Sequence, residues 1–239
     1  MNEFFYVPAE FIIDTQITIS GDEAKHISKV LRKQPGDRIW VVDGAGKAYE
    51  VEIHLVTHEM IECEILFEHH HLHEPDIDVT LAVAQVKNPS RMDWLIEKGT
   101  ELGVRSFVTL LTERTITKSP KLERWNNIAL AAMKQSGRCI LPAIYPQMTM
   151  DEICRHSQES DMKLIPYERT DHILFIGETL KHRKPPRSVT ILIGPEGGFT
   201  DTEVRKAEVA GFIQCSLGRR RLRTETAAIV AAGWVIGNE

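Results

Sequence analysis

Cysteine is scarce in this sequence: Cys63, Cys139, Cys154 and Cys215 are scattered, and no two form a Cys-x-x-Cys pair. The spacing therefore encodes neither a zinc ribbon nor a dithiol redox site, and the four read as buried or idle thiols of a reducing compartment. No apolar run is long enough to span a bilayer. The opening Met1-Asn2-Glu3-Phe4-Phe5-Tyr6 lacks the positive segment of a secretory leader, so a cytoplasmic protein with no membrane partner is expected. There is no Walker A loop. Gly44 and Gly46 lack the third glycine of a dinucleotide fingerprint and precede a strand, which disfavours the usual nucleotide folds. An excess of positive charge is also missing: the formal net charge is −5, which argues against a sequence-blind nucleic-acid binder.

What is present suits a globular protein with one large domain or two modest ones. Hydrophobic residues make up 42% and charged residues 26%, enough for a core in each of two domains. The charge is uneven. Residues 1–74 carry 6 Lys+Arg and 14 Asp+Glu, a net −8, whereas residues 75–239 carry 23 and 20, a net +3. Any RNA contact must come from local basic patches.

The first 70 or so residues read as mainly β. Ile61-Glu62-Cys63-Glu64-Ile65 alternates apolar and acidic side chains, as a half-buried strand does. Residues 38–42 and 49–55 are further strands, joined through the turn sequence Asp43-Gly44-Ala45-Gly46. Ser20-Gly21-Asp22-Glu23 predicts a capping box. The helix it opens has Ala24, Ile27, Val30 and Leu31 as its apolar stripe, with Lys25, Lys29 and Arg32 on another face. That basic stripe suits phosphate, or is a solvated face. Glu68-His69-His70-His71-Leu72-His73-Glu74-Pro75 reads as a polar linker at a domain junction. Its histidines match no ligand spacing, so no metal is expected. The expected domains are residues 1–73 and 74–239.

From Val79 onward strands and helices alternate, which predicts an α/β domain with a mostly parallel sheet. Strands are expected at 79–86, 107–111, 163–166, 189–193 and 212–217. Helices are expected at 91–102, stopped by Gly103, and at 122–136, stopped by Gly137. Two more follow Thr200, which begins a second capping box, and Thr224. Ligands of such sheets bind where strand ends lead into helices, and two of those loops have unusual composition. Ile193-Gly194-Pro195-Glu196-Gly197-Gly198-Phe199-Thr200 strips side-chain bulk from the backbone. Leu217-Gly218-Arg219-Arg220-Arg221-Leu222-Arg223-Thr224-Glu225-Thr226-Ala227 sets a basic cluster before a helix N-terminus, where free N–H groups favour an anion. Composition supports an anionic or nucleotide-like ligand and no more.

These two loops, in this order, resemble those of the RsmE family, SPOUT-class methyltransferases of uridine N3 in small-subunit ribosomal RNA. The resemblance extends through Arg91-Met92-Asp93-Trp94-Leu95-Ile96-Glu97-Lys98, Thr100-Glu101-Leu102-Gly103, Thr112-Glu113-Arg114, Glu123-Arg124-Trp125 and Gln135-Ser136-Gly137-Arg138. It also takes in His26-Ile27-Ser28-Lys29-Val30-Leu31-Arg32 and Gly36-Asp37, so it covers nearly the whole chain. Arg221 departs from the pattern, which has an aliphatic residue there, and Glu3 stands where relatives often carry arginine.

The resemblance implies a trefoil-knotted parallel sheet with a smaller N-terminal PUA-like β-barrel, a homodimer, and S-adenosylmethionine as cofactor. The substrate would be small-subunit ribosomal RNA or the assembled small subunit. It places the cofactor against Ile193, Gly194, Glu196, Gly197, Gly198, Leu217, Gly218, Leu222, Arg223, Thr224, Thr226 and Ala227, with Tyr167 and Glu168 as neighbours from the loop after residue 166. Arg223 would stabilise charge on the uracil oxygens or hold a phosphate. Glu196 or Glu225 would accept the N3 proton, or would simply anchor its loop. Arg91, Arg114, Arg138 and Arg220 join Lys25, Lys29 and Arg32 as RNA contacts, the alternative for each being an ordinary ion pair. Rival readings are a SPOUT enzyme modifying another position, such as a ribose 2′-hydroxyl, and a non-catalytic RNA-binding protein of the same fold.

Overall fold

The alternation of residues 61–65 is one stretch of a much longer strand. The computed structural model describes residues 3–57, 59–115, 120–167, 174–181 and 185–237. They form two units: Met1–Glu74 with Leu130–Leu141, and Pro75–Ala129 with Pro142–Glu239.

The first unit holds β1 (Phe4–Tyr6), β2 (Ile12–Ile13), β3 (Gln16–Ser20), β4 (Arg38–Val42), β5 (Lys47–Val56) and β6 (Met60–His70). They make a six-stranded sheet in the order β1-β4-β5-β6-β3-β2. The β1–β4 pair is parallel and the others are antiparallel. Strand alternation sends Ile17, Ile19, Ile39, Val41, Val51, Ile53, Ile61 and Cys63 into one core. In the β4–β5 hairpin the Asp43 carboxylate accepts from the amides of Ala45 at 2.7 Å and Lys47 at 3.0 Å.

Helix α1 (Gly21–Lys25) continues into a π-helical turn, His26–Val30. Two expectations fail here. Ser20 occupies the N-cap but makes no side-chain bond; Gly21 starts the helix at φ 65°, which takes the serine oxygen off the third amide. The wide turn, closed by Leu31 N–H donating to His26 C=O at 3.1 Å, rotates Val30 outward to 65% exposure. Ala24 and Ile27 stay buried. Lys25, Lys29 and Arg32 are exposed, and Lys25 pairs with Asp22 at 3.0 Å.

The expected polar linker is instead the end of β6 followed by a buried anchor. Both oxygens of Glu74 are engaged. Oε2 accepts from Arg138 Nε at 3.0 Å and Nη2 at 2.6 Å, and Oε1 accepts from the amides of Cys139 at 2.9 Å and Ile140 at 2.8 Å. Arg138 is only 2% exposed. Its guanidinium holds the segment 130–141 to the first unit, so the expectation of an RNA contact there is corrected. The histidines diverge: His69 lies on the Trp40 ring at 5.1 Å, His70 meets Glu68 at 3.0 Å, and His73 Nδ1 meets Gly137 O at 3.0 Å. Among the described residues no three potential metal ligands gather, and no helix is long and apolar enough to cross a membrane. Burial pushes the Cys63 thiol up to about 12 and the Cys139 thiol to about 11, as expected of idle thiols.

The second unit contains β7 (Asp78–Ala84), α2 (Pro89–Leu102), β8 (Ser106–Leu111), the first part of α3 (Leu122–Ser136), β9 (Ala143–Thr149), α4 (Met150–His156) and β10 (Met162–Pro166). It continues with α5 (Ile176–Lys181), β11 (Ser188–Ile193), α6 (Asp201–Val209), β12 (Ile213–Cys215) and α7 (Thr224–Ile236). The sheet is parallel throughout, in the order β12-β10-β11-β7-β8-β9. Its central strands are buried runs such as Val79–Ala84, as a sheet covered on both faces requires. Helix α2 starts with Asn88 Oδ1 accepting from Ser90 N–H and stops at Gly103, φ 108°. Asp93 on α2 accepts from Arg124 at 2.8 Å and from the Trp125 indole at 3.2 Å, both on α3. Because every strand runs the same way, all strand exits share one edge.

Candidate active site

That edge carries a cavity of about 350 Å³, walled by the exits of β10, β11 and β12 and the first turn of α7. From β10 come Pro166 and Tyr167, from the β11 exit residues 193–199, from the β12 exit Ser216, Leu217, Gly218, Arg220, Arg221 and Leu222, and from α7 Thr224 and Ala227.

Four contacts fix the β11 exit loop. Phe199, 1% exposed, roots it in the core with Leu192, Ile165 and Val204. Thr200 caps α6: its hydroxyl accepts from Glu203 N–H at 3.3 Å, and Glu203 Oε2 accepts from Thr200 N–H at 2.8 Å. Glu203 Oε1 accepts from Glu113 N–H at 2.8 Å, tying in the β8 exit. Thr224 on α7 donates to Gly194 C=O at 3.0 Å, so the two unusual loops are bonded to each other. Close approach explains the glycines. A Cβ at Gly194 would sit 3.2 Å from the Phe199 ring, and one at Gly197 would sit 3.2 Å from Arg114 Cδ. Gly218 takes φ 107°, a conformation side chains resist.

Of the expected cofactor contacts, Ile193, Gly194, Glu196, Gly197, Gly198, Leu217, Gly218, Leu222, Thr224, Ala227 and Tyr167 line the cavity. Arg223 and Thr226 are not among its walls. Helical rotation of about 100° per residue turns Thr224 and Ala227 inward, leaving Arg223 exposed at the N-cap and Thr226 half-buried. Glu168 lies outside the described residues. Pro195, Phe199 and Arg221, from the two loops singled out in the sequence, also line the cavity, as do Pro166 and Ser216, which nothing in their local sequence marked. Tyr167 donates its hydroxyl to Asp201 at 3.0 Å.

Cations ring the edge. Arg220 lines the cavity wall and is exposed. Arg221, the departure from the family pattern, donates to Glu196 C=O at 2.9 Å, and Arg114 donates to Gly197 C=O at 2.6 Å. Both side chains cross the glycine loop as clamps. Arg91, in the first turn of α2, meets Glu225 on α7 at 3.4 Å. Glu225 is 7% exposed and its Oε2 has no hydrogen-bond partner.

Comparison with known proteins gives this arrangement a family. The family model for an RNA methyltransferase domain matches residues 73–236, and that for an RNA methyltransferase PUA domain matches 19–66. A Synechocystis protein named ribosomal RNA small subunit methyltransferase E is 35% identical over 229 residues, covering 94% of this chain and 74% of that one. The chain belongs to the ribosomal RNA small subunit methyltransferase E family. It is an RNA methyltransferase by that membership. Two solved structures share the fold over almost their whole length. The probable rRNA-methyltransferase of Porphyromonas gingivalis has a TM-score of 0.86 and 33% identity, covering 98% of this chain and 96% of that one. The methyltransferase E of Neisseria gonorrhoeae, bound to S-adenosyl methionine, has a TM-score of 0.80 and 30% identity, with coverages of 97% and 95%.

Proposed function

We propose that this member of the methyltransferase E family transfers a methyl group from S-adenosylmethionine to N3 of a specific uridine in small-subunit ribosomal RNA, acting on the assembled subunit. The observation that carries the reading is the glycine-walled cavity at the carboxyl edge of a parallel sheet, beside a basic cluster. Its volume of about 350 Å³ lies within the range of small-molecule sites. Backbone groups of Gly194, Gly197, Gly198 and Gly218 would meet the polar parts of the cofactor. Ile193, Leu217 and Leu222 offer apolar surface to its adenine. When bound, S-adenosylmethionine supplies an electrophilic methyl group.

The chain's own part is to hold and align. The Thr224–Gly194 bond and the Arg114 and Arg221 clamps keep the loops rigid, and alignment of reacting groups is worth up to ~7–11 kcal/mol in favourable cases. Arg223 and Arg220 reach the RNA side, where they meet phosphate or the charge developing on the uracil oxygens. Lys25, Lys29 and Arg32 supply phosphate contacts from the acidic N-terminal unit. Residues 1–73 serve as a PUA-like barrel for RNA and 74–239 as the knotted catalytic domain. Support for the knot lies in α7, which packs on β7, β11 and α2 while α5, from the β10–β11 connection, packs on α7 as well. Phe175 meets Trp234 edge-on at 4.9 Å. The half-exposed apolar residues of α7, Ile229, Val230 and Trp234, are our candidate homodimer face. The enzyme would work in the cytoplasm.

The test uses purified protein, S-adenosylmethionine and small subunits from a strain lacking the homologous enzyme. Digested RNA should contain 3-methyluridine by mass spectrometry. Cofactor binding with a different methylated nucleoside would overturn the N3 assignment, and absence of cofactor binding would favour a non-catalytic RNA binder.

A further inference from the structure

Among the described residues, three charged ones line the cavity: Glu196 from the β11 exit, and Arg220 and Arg221 from the β12 exit. Arg221 is tied across it. Its Nη2 donates to the Glu196 carbonyl at 2.9 Å, so the guanidinium stands between the two loops that wall the cavity. A guanidinium has five N–H donors in a planar fork, and that contact takes one of them. Arg114 supplies a contrast. It donates to the next carbonyl, that of Gly197, at 2.6 Å, yet it is not among the described cavity walls. Clamping the glycine loop therefore does not require a cation in the wall. Such a cation matters to the ligand instead. S-adenosylmethionine carries two positive groups, the sulfonium and the α-ammonium, and one negative group, the α-carboxylate. A guanidinium is repelled beside either positive group, whereas with the carboxylate it forms a charge-assisted hydrogen bond, roughly twice as strong as a neutral one. The family pattern has an aliphatic residue at this position, so the charge is this chain's own.

We infer, resting on the reading of this cavity as the S-adenosylmethionine site, that Arg221 holds the α-carboxylate of the cofactor. It thereby makes the chain select ligands that carry the complete amino-acid end. The bond to the Glu196 carbonyl limits rotation of the guanidinium and leaves its remaining donors pre-oriented, which lowers the ordering cost of binding. Glu196, exposed on the same wall, supplies the opposite charge for the α-ammonium. One cation and one anion, tied together through a backbone carbonyl, match the zwitterion of the amino-acid end. Adenosine and its 5′-thioether alone give Arg221 nothing to hold. Arg221 is exposed, so water weakens the pair and the effect belongs at the low end of its range. Its role is one of affinity and selectivity: no bond is made or broken at the guanidinium.

The experiment measures affinity by calorimetry, without RNA or turnover, for four ligands. S-adenosylmethionine and S-adenosylhomocysteine carry the carboxylate; decarboxylated S-adenosylmethionine and 5′-methylthioadenosine lack it. Wild type should bind S-adenosylmethionine about 10-fold more tightly than its decarboxylated form, the low end for a hydrogen bond to a charged group. Arg221→Leu, which returns the position to the family's residue type, should narrow that ratio to about 2-fold or less. It should do so by weakening the two carboxylate ligands while the other two stay within about 2-fold of wild type. Arg221→Gln keeps an N–H for the Glu196 carbonyl but removes the charge, and should give the same result. That variant decides the matter if Arg221→Leu fails to fold. Arg114→Leu loosens the loop from outside the wall and should weaken all four ligands by one common factor. A uniform loss in the Arg221 variants would reduce Arg221 to a clamp and overturn the inference, as would an unchanged ratio. A carboxylate-selective loss in Arg114→Leu would also overturn it. A wild type that binds none of the four overturns the reading of the cavity itself, a result distinct from failure at Arg221 alone.

Discussion

Glu74 in the N-terminal unit and Glu225 in the C-terminal unit are both buried, both face an arginine, and are served very differently. Glu74 receives four hydrogen bonds, two from Arg138 and two from backbone amides, and neither oxygen is left over. Glu225 has a single long contact with Arg91 and one bare oxygen. A low-dielectric interior penalises unmet charge, so the first site is closed and structural, while the second keeps capacity for something the chain does not itself supply. Charge is uneven along the chain as well: −8 over residues 1–74 and +3 over residues 75–239, the latter including Arg138 itself. The carboxylate of the first unit is wholly spent on holding the chain together, and that of the second is not.

The largest effect should come from the closed site. In Arg138→Met, the Glu74 carboxylate loses its partner at a position where both side chains are no more than 3% exposed. Breaking a buried pair from one side costs about 3–5 kcal/mol, measurable as a lower urea midpoint. Glu225→Gln should cost under about 1 kcal/mol by the same measurement, because Arg91 remains partly solvated. If the two variants lost equal stability, the contrast between a structural and an open carboxylate would be broken.

Glycine substitutions sharpen the comparison at an intermediate scale. Gly194→Ala sets a methyl 3.2 Å from the ring of fully buried Phe199, which has no room to yield. Overpacking of this kind costs about 1–3 kcal/mol, and the displaced loop should weaken S-adenosylmethionine binding by about 10-fold or more, since about 1.4 kcal/mol corresponds to tenfold. Gly36→Ala, in the first unit, adds a methyl to open space at φ 92°. It should cost only about 1 kcal/mol of backbone strain and leave cofactor affinity unchanged. Equal losses of affinity by calorimetry would mean that the cavity does not depend on the Phe199-rooted loop.

How much of this could be read from residues depends on the range of the interaction. Patterns local in sequence were legible: the β4–β5 hairpin through Asp43–Gly46, α3 at Leu122–Ser136 with Gly137 after it, and α2 stopped by Gly103. Short or edge elements with weak periodicity, β1, β2, β9 and α5, were not. Helix α4 was missed although Thr149-Met150-Asp151-Glu152 spells a capping box, which the structure forms. The walls of the cavity were largely legible because glycines and arginines are conspicuous. The buried, unpartnered oxygen of Gln85 was not, since a lone glutamine after a strand has no local signature and its burial is a product of tertiary packing. Arg138 misled for the matching reason. Its partner Glu74 is 64 residues away in sequence, so a motif arginine looked like an RNA contact.

The smallest expected difference concerns two helix starts that look alike in sequence. Ser20-Gly21-Asp22-Glu23 and Thr200-Asp201-Thr202-Glu203 both spell a capping box, yet only Thr200 forms one. Thr200→Ala removes the acceptor for the Glu203 amide and should destabilise the second unit by about 1 kcal/mol. The loss should be felt at the cavity as well, because Glu203 also holds the β8 exit through Glu113. Ser20→Ala removes a hydroxyl that caps nothing, so its effect on unfolding should stay within about 0.5 kcal/mol. A larger loss at Ser20 than at Thr200 would show that Gly21, for all its left-handed φ, still lets the serine oxygen reach the first turn of α1 in solution.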